Sequence, residues 1–166
     1  MATVGRSFTD RMIAAAKLDV DLYEEVEADN DATTQAGIVV MIAAVASAIG
    51  GVNGGAIGII GSLLGAIVGW LIWAGVTYLI GDKLLGGTAT WGELLRTLGF
   101  AQAPGVLFVF AIIPLLGWVV EFVVGIWVFV AGIIAIRQAL DFSTGRAIAT
   151  ALLGFIPYAI LMAVVR

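Results

Sequence analysis

With 166 residues, 61% of them hydrophobic and only 12% charged, and a mean hydropathy of +1.11, the chain lies far from soluble domains, where about 25% of residues are charged. It reads as a one-domain integral membrane protein, and its formal net charge of −4 argues against nucleic acid, which selects clustered Lys and Arg. Zero Cys and zero His exclude disulfides, thiolate or imidazole metal sites and Ser-His or Cys-His catalytic pairs, and no cofactor is expected.

The opening stretch MATVGRSFTDRM lacks the apolar core of a secretory signal, so the first apolar run, near position 36, is expected to direct insertion itself. Before it, one or two short helices are predicted, capped by Ser7 and by Asp19 or Asp21, with Phe8, Met12, Ala15 and Ala16 on one face. The acidic run from Asp19 to Asp31 lacks the residue order of a calcium loop and is expected to be solvated. Residues 1–35 therefore read as an acidic cytoplasmic segment, and 36–166 as the membrane domain.

A bilayer core of about 30 Å needs about 20 apolar residues of helix. Four apolar blocks meet or approach this length: Ala36 to Val52, Gly54 to Ile80, Ala103 to Ile136 and Ala147 to Val165. The third is too long for one crossing, and Pro114 and Gly117 supply a break. It divides into Ala103 to Pro114 and Trp118 to Ile136. The expected fold is an all-α integral membrane bundle of five transmembrane helices, with the N-terminus cytoplasmic. That orientation keeps Arg6, Arg11, Lys17, Lys83, Arg96, Arg137 and Arg146 inside and only Arg166 outside. Thr90 and Glu93 form a T-x-x-E capping box, and Trp91, Leu94, Leu95 and Leu98 follow at helical spacing, predicting a short amphipathic helix over 90–100 lying on the cytoplasmic surface. Pro157 is expected to kink the last crossing; Ser143 or Thr144 is expected to cap it, and Arg137, Asp141 and Arg146 to anchor the loop before it.

Within the second block, Gly54, Gly58, Gly61, Gly65 and Gly69 fall on one side of a helix. Glycine costs about 0.8 to 1 kcal/mol relative to alanine in a helix in water. In lipid the missing side chain is compensated by close backbone contact. The stripe is expected to receive another helix, from the same chain first, from a second copy in a homodimer next, with a lipid or ligand cleft as the third option. Glu121 is the one acid well inside an apolar block. It is a candidate intramembrane polar site, with Asn53 of the first external hairpin as its expected partner.

The segments TWGELLRTLGFAQAPGVLFVF at 90–110 and GIWVFVAGIIAIRQALDFSTGRAIATALLG at 125–154 resemble the Yip domain family of Ypt/Rab-interacting membrane proteins, most of all its bacterial members. The G-[FY]-x-x-x-P signature is matched by Gly99, Phe100 and Pro104. The resemblance implies a five-crossing protein of vesicle-forming or membrane-shaping function, whose eukaryotic members bind prenylated Rab GTPases. Asp21, Leu22 and Tyr23 resemble an Asp-Leu-Tyr-Gly-Pro stretch of some members, but Glu24 and Glu25 replace Gly-Pro, so GTPase binding is not carried over.

The function expected from these features is a non-enzymatic scaffold of the cytoplasmic membrane, with the bilayer and other membrane proteins as partners. The alternatives are a small transporter or channel using Glu121, Asn53 and Gln102, or an accessory subunit of a larger membrane complex. An intramembrane enzyme built on Ser47 or Ser62 lacks a base.

Overall fold

The structure, a computed structural model, describes residues 5–51 and 55–165, with side chains described outside 55–58 and 157–165. The described residues are helical with no strand: α1 (Phe8–Ala16), α2 (Val20–Ala28), α3 (Ala32–Gly51), α4 (Gly55–Tyr78), α5 (Trp91–Phe100), α6 (Gly117–Ala139) and α7 (Thr144–Val165). A π-helical segment, Leu79–Leu84, extends α4, and a 3-10 helix, Ala103–Ile112, follows α5.

The caps behave as the sequence predicts. Ser7 Oγ accepts from the Asp10 N–H at 3.2 Å, and Asp19 Oδ1 from the Asp21 N–H at 3.1 Å. Thr90 and Glu93 close the capping box in both directions, at 3.3 and 2.7 Å. Each bond satisfies an N–H that the first helical turn leaves without a backbone partner.

Among the described residues, three helices are long and apolar enough to cross a membrane: Ala32–Gly51, Ile59–Leu84 and Gly117–Ala139. A fourth span arises if α5 and the 3-10 helix, bent by 40° at their junction, count as one. These spans turn large apolar side chains outward, among them Leu64, Trp118 and Phe122, each at least 60% exposed. This is a multi-pass membrane protein.

Two sequence expectations are corrected. Helix α5 does not lie on the surface: every residue from Leu94 to Phe100 is buried, including Arg96 and Thr97. The amphipathic pattern marked one face that packs into the bundle, but the opposite face is covered as well, by α2. The Ala103 to Pro114 stretch does not form a separate α-helix: it holds a 3-10 helix, Ala103–Ile112, bent by 40° from α5. The axis runs from α5 through the 3-10 helix alongside α3 in the same direction. A Cβ on Gly99 would stand 2.6 Å from Ala36 Cβ, one on Gly105 2.9 Å from Ala43 Cβ, and one on Gly50 would strike the Phe108 carbonyl. Ten 3-10 residues rise about 20 Å, against about 15 Å for ten α-helical ones. This stretch lets few residues keep pace with α3.

At the Pro114–Gly117 turn, the left-handed residue is Leu115, with φ 68°. Gly117 is required for a different reason, because a Cβ there would lie 2.5 Å from the Ala111 carbonyl oxygen. Helix α7 begins at Thr144, directly after Ser143, and its backbone continues past Pro157.

Candidate functional site

Helices α3 and α4 run antiparallel with Gly37 against the Trp70 ring, but they diverge away from that contact. A cleft of about 410 Å³ opens between α3, α4 and the 3-10 helix. Ser47 from α3, Ser62 from α4 and Gln102 at the break after α5 bring polar atoms to it, while Trp70, Trp73 and Phe108 supply aromatic walls. The floor on the α4 side is Gly65 and Gly69. Trp70 is fixed by its Nε1 donating to the Leu95 carbonyl at 3.0 Å, and the outer ring of Trp73 sits where a Cβ on Gly132 would be, 2.7 Å away.

Within the described part of the glycine stripe, Gly61 and Gly65 are exposed. Cβ atoms on Gly61 and Gly65 would meet nothing within 4 Å, and Gly69 is buried at the deep end of the cleft. Gly54 and Asn53 lie outside the described residues, and for Gly58 only the helical backbone is described. Close interhelical approaches are made instead by Ala36, Ala43 and Gly50 of α3, spaced by seven, against Gly99, Gly105 and Ala111. The signal was present as a repeat of small residues in α3, but alanines do not stand out in a sequence rich in them.

Glu121 is exposed on α6 and does not line the cleft. Gly99 and Phe100 mark the contact of α5 with the bundle, Phe100 being fully buried. Pro104, also buried, opens the 3-10 helix. These three residues make the break between α5 and the 3-10 helix: close approach, anchor, and a residue lacking the N–H that continuing helix would use.

A second polar site went unrecognised in the sequence. Arg96, 6% exposed, directs its guanidinium at the C-terminus of α2, donating to the carbonyls of Val26 at 3.0 Å and Glu27 at 3.1 Å. Cations are favoured where a helix leaves its last carbonyls unpaired. Arg11, equally buried, binds Glu25 at 2.9 Å, Asp29 at 2.7 Å and Gln35 at 2.9 Å, joining α1 to both ends of the α2–α3 turn. Its guanidinium holds the Asp29 carboxyl below the usual carboxylate range. Trp127 of α6 donates to the Ala16 carbonyl at 2.8 Å, and Gln138 to Glu24. Helices α1 and α2 are thus clamped to the bundle, and part of the acidic run is not free in solvent.

Glu27 stands at the centre of that clamp, with one carboxylate oxygen buried and without a hydrogen-bond partner. Burial, reinforced by the charges of Glu24, Glu93 and Asp141 and opposed by Arg96, pushes its carboxyl up to about 7. Burial also raises the Tyr23 phenol.

Within the loop before α7, Asp141 accepts from Thr88 at 2.9 Å, and Arg146 stacks over Phe142 at 4.0 Å and donates to the Leu85 carbonyl. These contacts tie the α6–α7 turn to the end of α4.

Residues 22–165 match the family described as Yip1 domain. The chain belongs to the Yip1 domain family. The match starts inside α2 and takes in the clamp formed with Arg96, the bent pair of α5 and the 3-10 helix, and the cleft, so all three lie within this Yip1 domain. Comparison with curated proteins and with solved structures returned no match.

Proposed function

We propose that this Yip1-domain protein is a non-enzymatic scaffold of the cytoplasmic membrane, crossing it five times with its N-terminus on the cytoplasmic side. The crossings are α3, α4 with its π extension, the bent pair of α5 and the 3-10 helix, α6 and α7. The parallel course of α3 and the bent pair supports this order, because the first and third of consecutive crossings share a direction. The gathering of Arg11, Arg96, Arg137 and Arg146 at the end that carries α1 and α2 supports the orientation.

One observation carries the scaffold reading: Arg96 and Arg11 lock α1 and α2 onto the bundle end. A segment so held presents its exposed carboxylates, Asp21 and Asp31, at fixed positions relative to the membrane, which suits a docking platform. A conducting role would bring Glu121 together with Ser47, Ser62 and Gln102, whereas Glu121 faces outward on α6.

The test is affinity recovery from mild detergent followed by mass spectrometry, comparing the full chain with Asp21→Lys/Asp31→Lys. Co-purifying membrane proteins should be recovered with the first and lost with the second. Solute flux through proteoliposomes, with neither partner recovery nor altered liposome shape, would refute the scaffold.

A further inference from the structure

We propose that Trp73 and Thr77 of α4 hold a single water molecule against Gly154 of α7, a buried polar site between two helices of the bundle. Three observations lead to it, and none depends on the scaffold reading.

The first is a pair of groups without partners. Trp73 Nε1 and Thr77 Oγ1 are both buried and make no hydrogen bond, and Thr77 as a whole is 0% exposed. The other fully buried threonines among the described residues, Thr97 and Thr150, donate their hydroxyls to the carbonyl four residues back in their own helix, at 3.0 and 2.9 Å. Trp70 and Trp127 likewise donate to carbonyls, at 3.0 and 2.8 Å. Trp73 and Thr77 depart from both patterns. They lie in the apolar span Ile59–Leu84, where an unmatched polar group is costly, and buried polar groups that lack a protein partner are ordinarily met by ordered water.

The second is a space that the two share. Four residues apart, they stand on the same face of α4. A Cβ on Gly154 would lie 3.4 Å from Thr77 Oγ1 and 4.0 Å from Trp73 Nε1, with no atom of another element nearer. One place beside α7 is therefore open and within about 1 Å of hydrogen-bond distance from both groups. Protein screens both atoms from the bilayer, which suits one small molecule and not a lipid, and an ion there would carry a large desolvation cost.

The third is complementary chemistry. An indole N–H only donates, whereas a hydroxyl both donates and accepts. A water accepts from Trp73, exchanges a bond with Thr77 and keeps a hydrogen to give. Pro157 has no N–H to offer the Leu153 carbonyl, whose peptide leads into Gly154, and membrane helices tolerate proline where ordered water takes up the freed group. The site thus joins two donors of α4 to the turn of α7 that is short of one.

The experiment uses the full chain, isotope-labelled at its tryptophan indoles, in phosphatidylcholine nanodiscs with deuterated acyl chains, and follows magnetisation transfer from water to each indole proton by NMR. Trp70, bonded to the Leu95 carbonyl, is the internal reference. Transfer to Trp73 should be at least threefold faster than to Trp70. Gly154→Ala adds a methyl at ordinary contact distances, fills the place and should bring Trp73 down to the Trp70 rate. Thr77→Val keeps the side-chain shape, removes one partner and should slow Trp73 at least twofold; this variant carries the test should Gly154→Ala fail to fold. Transfer to Trp73 no faster than to Trp70 in the native chain would overturn the proposal. So would a Trp73 rate unchanged in Thr77→Val, since the hydroxyl would then share no water with the indole, or a rate unchanged in folded Gly154→Ala.

Discussion

Gly99 shows how one missing methyl sets the architecture. Adding it places carbon 2.6 Å from Ala36 Cβ and 3.2 Å from the Ala36 backbone, and neither is the flexible end of a side chain. Gly99→Ala should therefore cost about 1 to 3 kcal/mol, the range for overpacking. Adding Ala36→Gly should recover part of the loss, giving a coupling that a double-mutant cycle of thermal unfolding in detergent can read. Arg96 sets a comparable constraint by polarity. Arg96→Met leaves the Val26 and Glu27 carbonyls without their charged donor, a loss of about 1.5 to 3 kcal/mol, and it should expose the Lys17 bond to trypsin several-fold faster than in the native chain. At this scale the sequence was only partly legible. Gly99, Phe100 and Pro104 could be picked out as a motif, but their physical role required Ala36 opposite. The glycines at 61 and 65 looked like contact residues because small residues signal closeness, yet the same absence of side chain can leave a space.

Among the elements, α5 separates what periodicity can and cannot say. Its capping box and apolar spacing located its start correctly and its type without ambiguity. Its burial was hidden, because the polar face meets the end of another helix and not water; an arginine looks identical in sequence whether it binds water or carbonyls. The docking of α2 on α5 should respond to pH through Glu27. Its carboxyl is raised to about 7 when docked, against an ordinary value near 4.5. Below about 4.5 it is protonated whether docked or released, so docking is at full strength. Between there and about 7 the released form gives up its proton first, and docking weakens as pH rises; above 7 the loss is complete. Glu24 of α2, Glu93 of α5 and Asp141 of the α6–α7 turn add repulsion, and Arg96 opposes it. Electron spin resonance distances between labels at Asp21→Cys and Arg137→Cys should broaden and lengthen from pH 5 to pH 8. Glu27→Gln should flatten that response, and a response unchanged in the variant would remove Glu27 from it.

For the whole molecule, the absence of native cysteine makes topology directly measurable. In sealed vesicles, a membrane-impermeant maleimide should label Leu115→Cys, 91% exposed at the turn before α6, only from the outer side, and Lys17→Cys only from the cytoplasmic side. Labelling of both from one compartment would overturn the five-crossing order. Overall class was readable from hydropathy alone, since lipid leaves a compositional imprint that no single residue can mask. Span count was harder, because a 3-10 stretch covers more distance per residue than the α-helix assumed when apolar blocks are measured by length.

The clamp on α2 also has a schedule. Arg96 follows the Val26 carbonyl it holds by 70 residues, and translation at about 5 to 20 residues per second separates their emergence by roughly 4 to 14 s. During that interval α3 and α4 are already made while α2 still lacks its bond to Arg96. Until Arg96 is made, the Val26 and Glu27 carbonyls lack the donor that fastens α2 to α5.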